Sequence, residues 1–329
     1  LIKKLSSKGI ICNITAIFTI EQLEGVVDIL HKDTPAILSV FAGRIADAGE
    51  DPEKIINNKS INLVSIASYD NFHFKQIMNS IKNKKNIFVE KPFCQNFNQY
   101  YKIKKNLKKY KVKFLSNFVL RNHPKFKKIY DLIKKNKIGK IYHIEGEYNY
   151  GRISKLKKGW RGKIPFYSVT QGGGIHIIDL MIWMLNSQPK KVVSLGNNFQ
   201  TKKSKFKFND NVVSLINFKS GVTGKVSSNF GCVTPHHHTM KIYGSTGTII
   251  ASRNKIELFK SKKKKLKSKN IKYKIDSKYK DKILNSFIES IFKKNKNFNI
   301  KLSDVFASMA SCLAIDKSLK TQKWEKVKI

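Results

Sequence analysis

Two short stretches of this chain carry the residues best suited to chemistry. In residues 86–93, NIFVEKPF, an apolar strand-like run stops at Lys91. In residues 171–185, QGGGIHIIDLMIWML, a glycine-rich turn leads into an apolar helix that begins around His176. A lysine ammonium can hydrogen-bond an oxygen atom and stabilise negative charge developing on it. A histidine can exchange a proton near neutral pH.

Each of these two residues also has a plainer interpretation. Lys91 can be an ordinary lysine in water at the end of a strand, and His176 can be a hydrogen-bonded histidine at a helix start. The choice depends on the elements that position the two side chains.

The chain up to residue 121 is read as alternating strands and helices. Residues 1–58 give a strand, a helix and a strand in IICNITAIF, TIEQLEGVVDILHK and AILSVFAGR, and the polar ADAGEDPEKIINNKS marks a boundary. Residues 59–121 resume with the strands INLVSIAS, NIFVE and VKFLSNFVL, and Asp70 is predicted to cap the first helix between them. The pattern predicts an α/β region with a parallel sheet covered on both faces.

The alternation of strands and helices ends in residues 122–329. Several strands follow one another there, among them DNVVSLINFKSG, VTGKVSSNFG and HTMKIYGSTGTIIAS. Consecutive strands of this kind predict an α+β domain with a large, mostly antiparallel sheet. The run KSKKKKLKSKNIKYK reads as a solvated loop or hairpin, and two amphipathic helices would close the domain.

Composition sets limits on the class of protein. Apolar residues make up 41% of the 329 residues, which is typical of a globular protein, and no apolar run approaches the roughly 20 residues of a membrane span. The four cysteines lie far apart, so neither a disulfide framework nor a structural zinc site is indicated, and a reducing cytoplasm fits best. The chain begins with Leu and not with Met, which predicts a piece of a longer protein.

The formal net charge of +43 comes from lysine far more than from arginine. The chain has 60 lysines and five arginines. Proteins that read phosphates or bases specifically use the bidentate fork of arginine, so specific nucleic-acid binding is not indicated. The abundance of lysine is interpreted as a general drift in amino-acid composition, with most lysines at solvent-exposed positions. The positive field would still attract an acidic substrate, and non-specific polyanion binding stays a possible function.

Three consecutive histidines, residues 236–238, resemble a metal cluster at first sight. They lead straight into the predicted strand TMKIYG. Successive side chains of a strand point to opposite faces, so the three cannot all bind one ion, and no metal site is predicted there.

The ordered set of motifs resembles one known family. INLVSIASYDNFH, NIFVEKPF, VLRNHP, GWRG, QGGGIHIIDLMIWML and MKIYGSTGTI occur in that order. Over about residues 59–329 they resemble the glucose–fructose oxidoreductase, inositol dehydrogenase and MocA (Gfo/Idh/MocA) family of nicotinamide-dependent dehydrogenases. The resemblance implies a Rossmann domain that binds NAD or NADP, an α+β domain that supplies a sugar pocket, and a homo-oligomer formed through the open sheet face.

The resemblance also assigns residues. Lys91 and His176 fall on the family's catalytic lysine and histidine, which would polarise a substrate oxygen and exchange its proton. The cofactor-binding positions carried over are Ala67, Ser68, His73, Glu90 and Lys91. The substrate-binding positions carried over are Arg121, Trp160, Arg161, Tyr167 and Asp179, with the arginine forks clamping a carboxylate or phosphate. Surface or structural roles for this last set are an equal alternative.

The chain departs from the family at one catalytic position. Many members carry an aspartate four residues before the histidine, where this sequence has Gly172. Asp179 could be proposed as a replacement, although an aspartate one turn into a helix is more often structural.

The beginning of the chain departs further. No Gly-x-Gly-x-x-Gly loop is present to hold a pyrophosphate at a helix N-terminus, and no acidic residue ends a second strand. Residues 1–58 instead resemble the late part of a transaldolase, in NITAIFT and SVFAGRIADAGEDP, without that enzyme's Schiff-base lysine. We therefore expect three segments: a transaldolase-like fragment (1–58), a partial Rossmann domain (59–121) and a family-type α+β domain (122–329).

The expected function is an NAD(P)-dependent oxidoreductase acting on a sugar, sugar derivative or nucleotide sugar, impaired by the missing glycine loop. The alternative is a non-enzymatic protein that keeps the α+β domain for binding or oligomerisation. Transaldolase chemistry is the weaker reading, because the catalytic lysine of that enzyme is absent.

Overall fold

The structure is a computed structural model that describes residues 1–17, 19–34, 36–40, 51–262, 268–274, 276–292 and 300–329. Within these ranges the strands form three sheets of two, three and nine strands. The predicted charge run around residues 263–267 and most of SVFAGRIADAGEDP lie outside the described residues. In the described ranges, no helix combines the length and the apolar character needed to cross a membrane.

The first segment is a strand, a helix and a strand, as predicted. Its elements are α1 (Ile2–Ser7), β1 (Cys12–Ile17), α2 (Ile20–Ile29) and β2 (Ala36–Val40). The two strands pair in parallel. The Thr19 hydroxyl caps α2 by accepting a hydrogen bond from the amide of Gln22 at 3.1 Å. Among the described residues this strand pair is a sheet of its own.

A second parallel sheet follows, which confirms the predicted alternation. A 3-10 helix (Pro52–Asn57) leads to β3 (Leu63–Ile66), α3 (His73–Lys82), β4 (Asn86–Val89), α4 (Phe97–Tyr110) and β5 (Phe114–Ser116). The strand order is β3-β4-β5, with Leu63 opposite Asn86. The apolar end of β4 is buried in the centre of this sheet, so the residue that follows it emerges at the sheet's carboxyl edge.

The second half is an α+β unit built on the nine-stranded sheet. Its helices are α5 (Pro124–Lys134), α6 (Ser154–Lys157), α7 (Ile175–Leu185), α8 (Asp281–Phe292) and α9 (Leu302–Thr321). Its strands are β6 (Ile141–Asn149), β7 (Pro189–Asn197), β8 (Asn211–Phe218), β9 (Thr223–Asn229), β10 (His237–Gly244), β11 (Gly247–Ala251), β12 (Ile256–Phe259), β13 (Lys269–Asn270) and β14 (Glu325–Lys326). Short 3-10 turns occur at Val119–Asn122, Trp160–Gly162 and Ser277–Lys280, and a π-helical turn at Thr170–Gly174 leads into α7.

The large sheet has the order β13-β12-β11-β10-β6-β9-β8-β7-β14. Its pairings in the described residues are antiparallel except for β6 with β9, which are parallel. Helices α7 and α9 pack against one another, with α9 against β7 and α7 against β6. Alternate residues of the strands are therefore buried on one face only, as the period-two pattern requires. The predicted α+β domain with a mostly antiparallel sheet is confirmed.

One predicted helix cap is wrong. Helix α3 begins at His73, and no side chain caps its N-terminus. Asp70 lies three residues before the first helical residue, and its carboxylate instead faces the cavity described below. The cap was predicted because Asp70 precedes a segment with helical spacing of apolar residues. The chain makes one more turn after Asp70 before the helix starts, so Asp70 is too far from the helix N-terminus to cap it.

A buried ion cluster joins the two halves. Arg121, in the 3-10 turn after β5, is 1% exposed. Its Nε and Nη2 atoms donate to both carboxylate oxygens of Asp179 on α7, at 2.8 and 2.7 Å. Its Nη1 donates to Asp304 on α9 at 3.0 Å. The bidentate geometry and the second carboxylate balance the buried guanidinium, so this cluster connects the parallel sheet to both core helices of the second half.

We expect Arg121→Ala to lower the free energy of unfolding by about 3–5 kcal/mol, because it leaves buried Asp179 and partly buried Asp304 without their counter-charge. Chemical denaturation with the exposed-pair variant Lys75→Ala as control provides the measurement. Lys75 pairs with Glu53 at the surface, so that control should cost less than about 1 kcal/mol. Equal losses for the two variants would contradict a structural role for the cluster.

Candidate active site

Lys91 follows β4 directly, at the carboxyl edge of the parallel sheet. Its Nζ donates a hydrogen bond to the carbonyl oxygen of Gly172, in the π-helical turn of the other half, at 2.7 Å. Burial lowers the pKa of Lys91, and the nearby carboxylates of Glu90 and Asp70 act in the opposite direction. The ammonium is therefore held between the two halves, by a neutral acceptor that a substrate oxygen can replace.

A cavity of about 160 Å³ opens beside Lys91. It lies where β3 and β4 end and where the segment 160–167 of the second half crosses them. All the predicted cofactor-binding residues line it, namely Ala67, Ser68, His73, Glu90 and Lys91. Three of the five predicted substrate-binding residues line it too, namely Trp160, Arg161 and Tyr167. In open parallel sheets, ligands bind in crevices at the carboxyl ends of the strands, which is the position of this cavity.

His73 holds the two strand ends together. Its Nδ1 lies 2.8 Å from the carbonyl oxygen of Pro92, and its Nε2 lies 3.0 Å from the carbonyl oxygen of Ser68. The side chain is completely buried. Because both ring nitrogens are used on the backbone, His73 shapes the cavity wall by fixing the segments after β3 and β4.

His176 lies in the first turn of α7 and is 6% exposed. Its ring packs between Tyr148 and Phe118, with ring centroids at 6.1 and 6.3 Å. Its Nδ1 is buried and has no hydrogen-bond partner among the described residues. Burial lowers the pKa of His176 well below its ordinary value, and the charges of Lys91 and His236 act in the same direction. His176 is therefore neutral at neutral pH and holds a proton less readily than a free imidazole.

The glycine at position 172 is explained by its neighbour Tyr167. A Cβ atom placed on Gly172 would lie 2.1 Å from the Tyr167 hydroxyl oxygen. That hydroxyl accepts a hydrogen bond from Nε of Arg161 at 3.0 Å, which keeps the ring in place. The tyrosine thus fills the space in which the family's aspartate would start, and the two residues exclude each other.

Two residues predicted for the substrate pocket lie elsewhere. Arg121 and Asp179 form the buried ion pair of the core and do not line the cavity. This corrects the prediction that Arg121 supplies one of the anion-clamping forks, and it supports the structural alternative for Asp179. The two positions are 58 residues apart in sequence, so nothing in the local pattern pointed to their pairing.

Asp70 is the cavity residue that the sequence reasoning missed. It is 8% exposed, lines the cavity, and accepts no hydrogen bond from the described residues. Burial raises the pKa of Asp70, while the charges of Lys91, His73 and Arg161 act against this rise. The available signal was its position four residues after β3, at the same sheet edge as Lys91.

The histidines of residues 236–238 alternate as the strand pattern predicted. The rings of His236 and His238 lie on one side, 4.8 Å apart, and both contact Tyr148. His237 turns away, towards the carbonyl oxygen of Pro235 at 2.8 Å. In the part of the chain that the structure describes, no group of three or more potential ligands has a metal-binding arrangement.

The fold and cavity define a two-domain nucleotide-binding class, with a parallel α/β half and an open-sheet α+β half. Residues 13–118 match a family model described as "Oxidoreductase family, NAD-binding Rossmann fold", and residues 126–250 match one described as "GFO/IDH/MocA C-terminal domain". The chain therefore belongs to the Gfo/Idh/MocA family of oxidoreductases. The first match takes in most of the segment 1–58 that we compared with transaldolases, so the family pattern extends to β1.

Curated relatives are distant. The chain is 24% identical over 214 residues to a myo-inositol 2-dehydrogenase of Thermotoga maritima, covering 63% of this chain and 61% of the relative. It is 23% identical over 203 residues to a 2,7-anhydro-N-acetylneuraminate hydratase of Escherichia coli, covering 60% and 53%. The matched stretches thus span between about half and three-fifths of these relatives.

Solved structures match over nearly the whole chain. A levoglucosan dehydrogenase in complex with NADH and levoglucosan has a TM-score of 0.76 at 17% identity, covering 96% of this chain and 99% of that one. An apo scyllo-inositol dehydrogenase from Lactobacillus casei has a TM-score of 0.69 at 16% identity, covering 97% and 90%. At these identities the likeness establishes the fold.

We expect Gly172→Ala to destabilise the protein by about 1–3 kcal/mol, because the new methyl group must displace the Tyr167 hydroxyl. Thermal and chemical unfolding would measure it. Gly25→Ala, in α2 with nothing within 4 Å of the added Cβ, is the control and should be neutral or slightly stabilising. A neutral Gly172→Ala would show that Tyr167 moves freely, and would remove the steric account of the missing carboxylate.

The carboxylate of Asp316 stabilises the turn that leads into α7. Asp316 on α9 accepts hydrogen bonds from Ser168 Oγ and Gln171 Nε2, both at 2.7 Å. Gln171 Nε2 also lies 3.3 Å from the carbonyl oxygen of Gln95. Burial raises the pKa of Asp316 to about 6. The turn that contains Gly172, the hydrogen-bond acceptor of Lys91, is therefore held by Asp316, whose pKa in the folded protein lies above its ordinary value.

Because the pKa of Asp316 is higher in the folded protein than in the unfolded chain, its proton stabilises the fold at low pH. That contribution, at most about 3 kcal/mol, is present below pH 4 and is lost as the pH rises through about 6. Unfolding free energies measured between pH 4 and 7 should show a smaller decline in Asp316→Asn than in the wild type. Asp131→Asn, an exposed control, should keep the wild-type slope; an unchanged slope in Asp316→Asn would contradict the assignment.

Proposed function

We propose that the protein is an NAD(P)-dependent oxidoreductase that acts on a sugar or sugar derivative. The observation that carries this proposal is the cavity between Lys91 and the strand ends of the parallel sheet. The hydroxyl to be oxidised would lie at Lys91, and His176 would accept its proton. The family relatives named for inositol and levoglucosan support a polyhydroxylated substrate.

The residues at the strand ends fit the nicotinamide half of the cofactor. Ala67 and Ser68 follow β3 and supply small side chains, and Glu90 and Lys91 follow β4 and supply charged ones, so both pairs line the same crevice. His73 keeps these segments in place by its two contacts with carbonyl oxygens. A bound nicotinamide would supply the hydride acceptor or donor.

The pyrophosphate end fits less well. Between β1 and α2 the chain has no glycine. The first glycine after β1 is Gly25, which lies halfway along α2. The N-terminus of α2 is already capped by Thr19 and carries Glu21 in its first turn, which would repel a phosphate. We therefore propose weakened cofactor affinity. The likeness of residues 1–58 to a transaldolase, and the division at residues 58 and 121, remain our predictions about how the chain is assembled.

The residues have distinct roles in the proposed oxidation. The Lys91 ammonium would exchange the Gly172 carbonyl for the substrate oxygen and stabilise the charge that develops there. Neutral His176 would take the hydroxyl proton. Trp160, whose ring is stacked on Tyr69 with ring centroids 4.8 Å apart and lies 4.5 Å from the guanidinium carbon of Arg161, would border the sugar with its ring edge.

A non-enzymatic oligomeric protein is the alternative, and one observation favours self-association. The open face of the large sheet exposes Leu195, at 72%, and Leu215, at 48%, on neighbouring strands β7 and β8. We propose a homo-oligomer formed through this face, in the cytoplasm, with or without enzymatic activity. No specific nucleic-acid or membrane partner is proposed.

We expect NADH or NADPH to bind saturably, as measured by nicotinamide fluorescence at moderate salt. Turnover would be screened with myo-inositol and levoglucosan. Lys91→Ala should lower kcat by about 100-fold or more while the protein stays folded, because it removes the donor to the developing alkoxide. His176→Gln should lower kcat by a similar factor. Lys104→Ala, an exposed lysine on α4, is the control.

Two results would count against the proposal. Binding of neither dinucleotide by the folded protein would leave the oligomeric alternative. Unchanged turnover in Lys91→Ala would remove the catalytic assignment while leaving the cofactor assignment intact.

A further inference from the structure

Arginine is rare in this chain, and two of its few copies meet at one ring. The chain has 60 lysines and only five arginines. The guanidinium carbon of Arg152 lies 5.4 Å from the ring centroid of Tyr150, and that of Arg161 lies 5.9 Å from the same centroid. A further arginine, Arg121, is committed to the core ion cluster. In a chain that uses lysine at its solvated positions, this pairing indicates a requirement for the guanidinium group itself.

Among the described residues, neither member of the pair forms a salt bridge with a carboxylate. Arg161 donates to the Tyr167 hydroxyl through Nε, and its guanidinium carbon lies 4.5 Å from the centroid of the Trp160 ring. The charge of Asp70, across the cavity, acts on Arg161. The Arg152 guanidinium lies over the Tyr150 ring, and among the described residues this side chain forms no hydrogen bond. Two cations held close to one ring repel each other, and an anion between them would remove that repulsion.

The positive field of the pair reaches the catalytic side of the site. The charge of Arg152 adds to the effect of burial that lowers the pKa of His236 to about 4. The rings of His236 and Tyr150 meet edge to face at 5.3 Å. His236 in turn is one of the groups whose charge acts on His176. Arg161 itself lines the cavity beside Lys91. Arg161 is therefore shared between the cavity and the Tyr150 ring, and Arg152, an exposed residue outside the cavity lining, meets it at that ring.

We infer that Arg152 and Arg161 form an anion subsite around Tyr150, which binds the carboxylate or phosphate group of the sugar substrate. The inference rests on the proposed function and deepens it, because it selects acidic sugars over neutral ones. The guanidinium fork matches both anions in two-point geometry, which an ammonium cannot do. The sugar hydroxyls then face Asp70, a carboxylate in the cavity that accepts no hydrogen bond from the described residues.

The competing explanation is the general field of a chain with net charge +43, which attracts any anion without a site. Lys155 provides the matched control. It is exposed on α6, three residues after Arg152, and its loss changes the net charge by the same amount. A specific subsite depends on Arg152 and tolerates the loss of Lys155, whereas a general field responds equally to both.

The low arginine count makes a direct test possible. Protein labelled with ¹⁵N-arginine has five Nε–H positions, and Arg152→Lys and Arg161→Lys assign the two of interest. The probes are D-glucuronate, D-glucose 6-phosphate and, as neutral control, D-glucose, in about 0.15 M salt to screen long-range attraction. We expect at least one acidic probe to shift the Arg152 and Arg161 signals saturably, while glucose does not and the signal of buried Arg121 stays in place.

Affinity of the variants completes the test. Arg152→Gln should weaken binding of the acidic probe about tenfold or more, whereas Lys155→Gln should leave it within about twofold. Which of the two acids binds more tightly identifies the anion. Equal weakening in both variants, or arginine signals that move with neither acid, would overturn the subsite.

These measurements need no cofactor, so they are independent of the proposed oxidation. Shifted arginine signals in a protein that binds neither NADH nor NADPH would retain the subsite and reject the oxidoreductase. Cofactor binding together with unmoved arginine signals would reject the subsite and retain the oxidoreductase.

Discussion

The whole active-site arrangement depends on one buried guanidinium. Arg121 comes from the loop that leaves the parallel sheet, and its partners Asp179 and Asp304 lie on the two helices around which the second half is built. Asp179 is one turn beyond His176, so the pair fixes the helix start at which the histidine is presented. Removing charge from water is costly, and only a fully paired geometry compensates for it. The angle between the two halves is therefore set in the core, not at the surface of the cavity.

Within this arrangement, the side chains around the cavity are positioned mainly by contacts with backbone carbonyl oxygens. Lys91 reaches across to the carbonyl of Gly172, and His73 holds the carbonyls after β3 and β4. Asp316 supports the turn that contains Gly172 from the opposite side. Main-chain acceptors are fixed in position by the fold, so the lysine is aligned without a dedicated carboxylate partner. This arrangement explains how a site can be well ordered although the family's aspartate is missing.

The sequence was informative wherever the chemistry follows from position on a strand. Lys91 could be placed beside the cavity because a parallel strand puts the next residue at the carboxyl edge of the sheet, and the other predicted cofactor-binding residues line the same cavity for the same reason. Asp70 obeys the same rule and was missed, because a capping signal competed with it. The ion cluster of Arg121 and the contact of Arg152 with Tyr150 could not be derived, since each depends on residues brought together by tertiary packing. The parallel pairing of β6 with β9, inside a sheet of antiparallel neighbours, was likewise hidden, because strand order is not encoded in periodicity.

The mutual exclusion of Tyr167 and Gly172 has a consequence for how such a site can change over generations. A side chain at position 172 lowers stability as long as Tyr167 keeps its place, because the hydroxyl occupies the position of the new Cβ. The two substitutions are therefore epistatic, because a smaller residue at position 167 lowers the cost of a side chain at position 172. An intermediate with neither group would also lose the acceptor that orients Arg161. A lineage that has acquired this tyrosine therefore reaches a side chain at position 172 at lower cost through a change at residue 167 than directly.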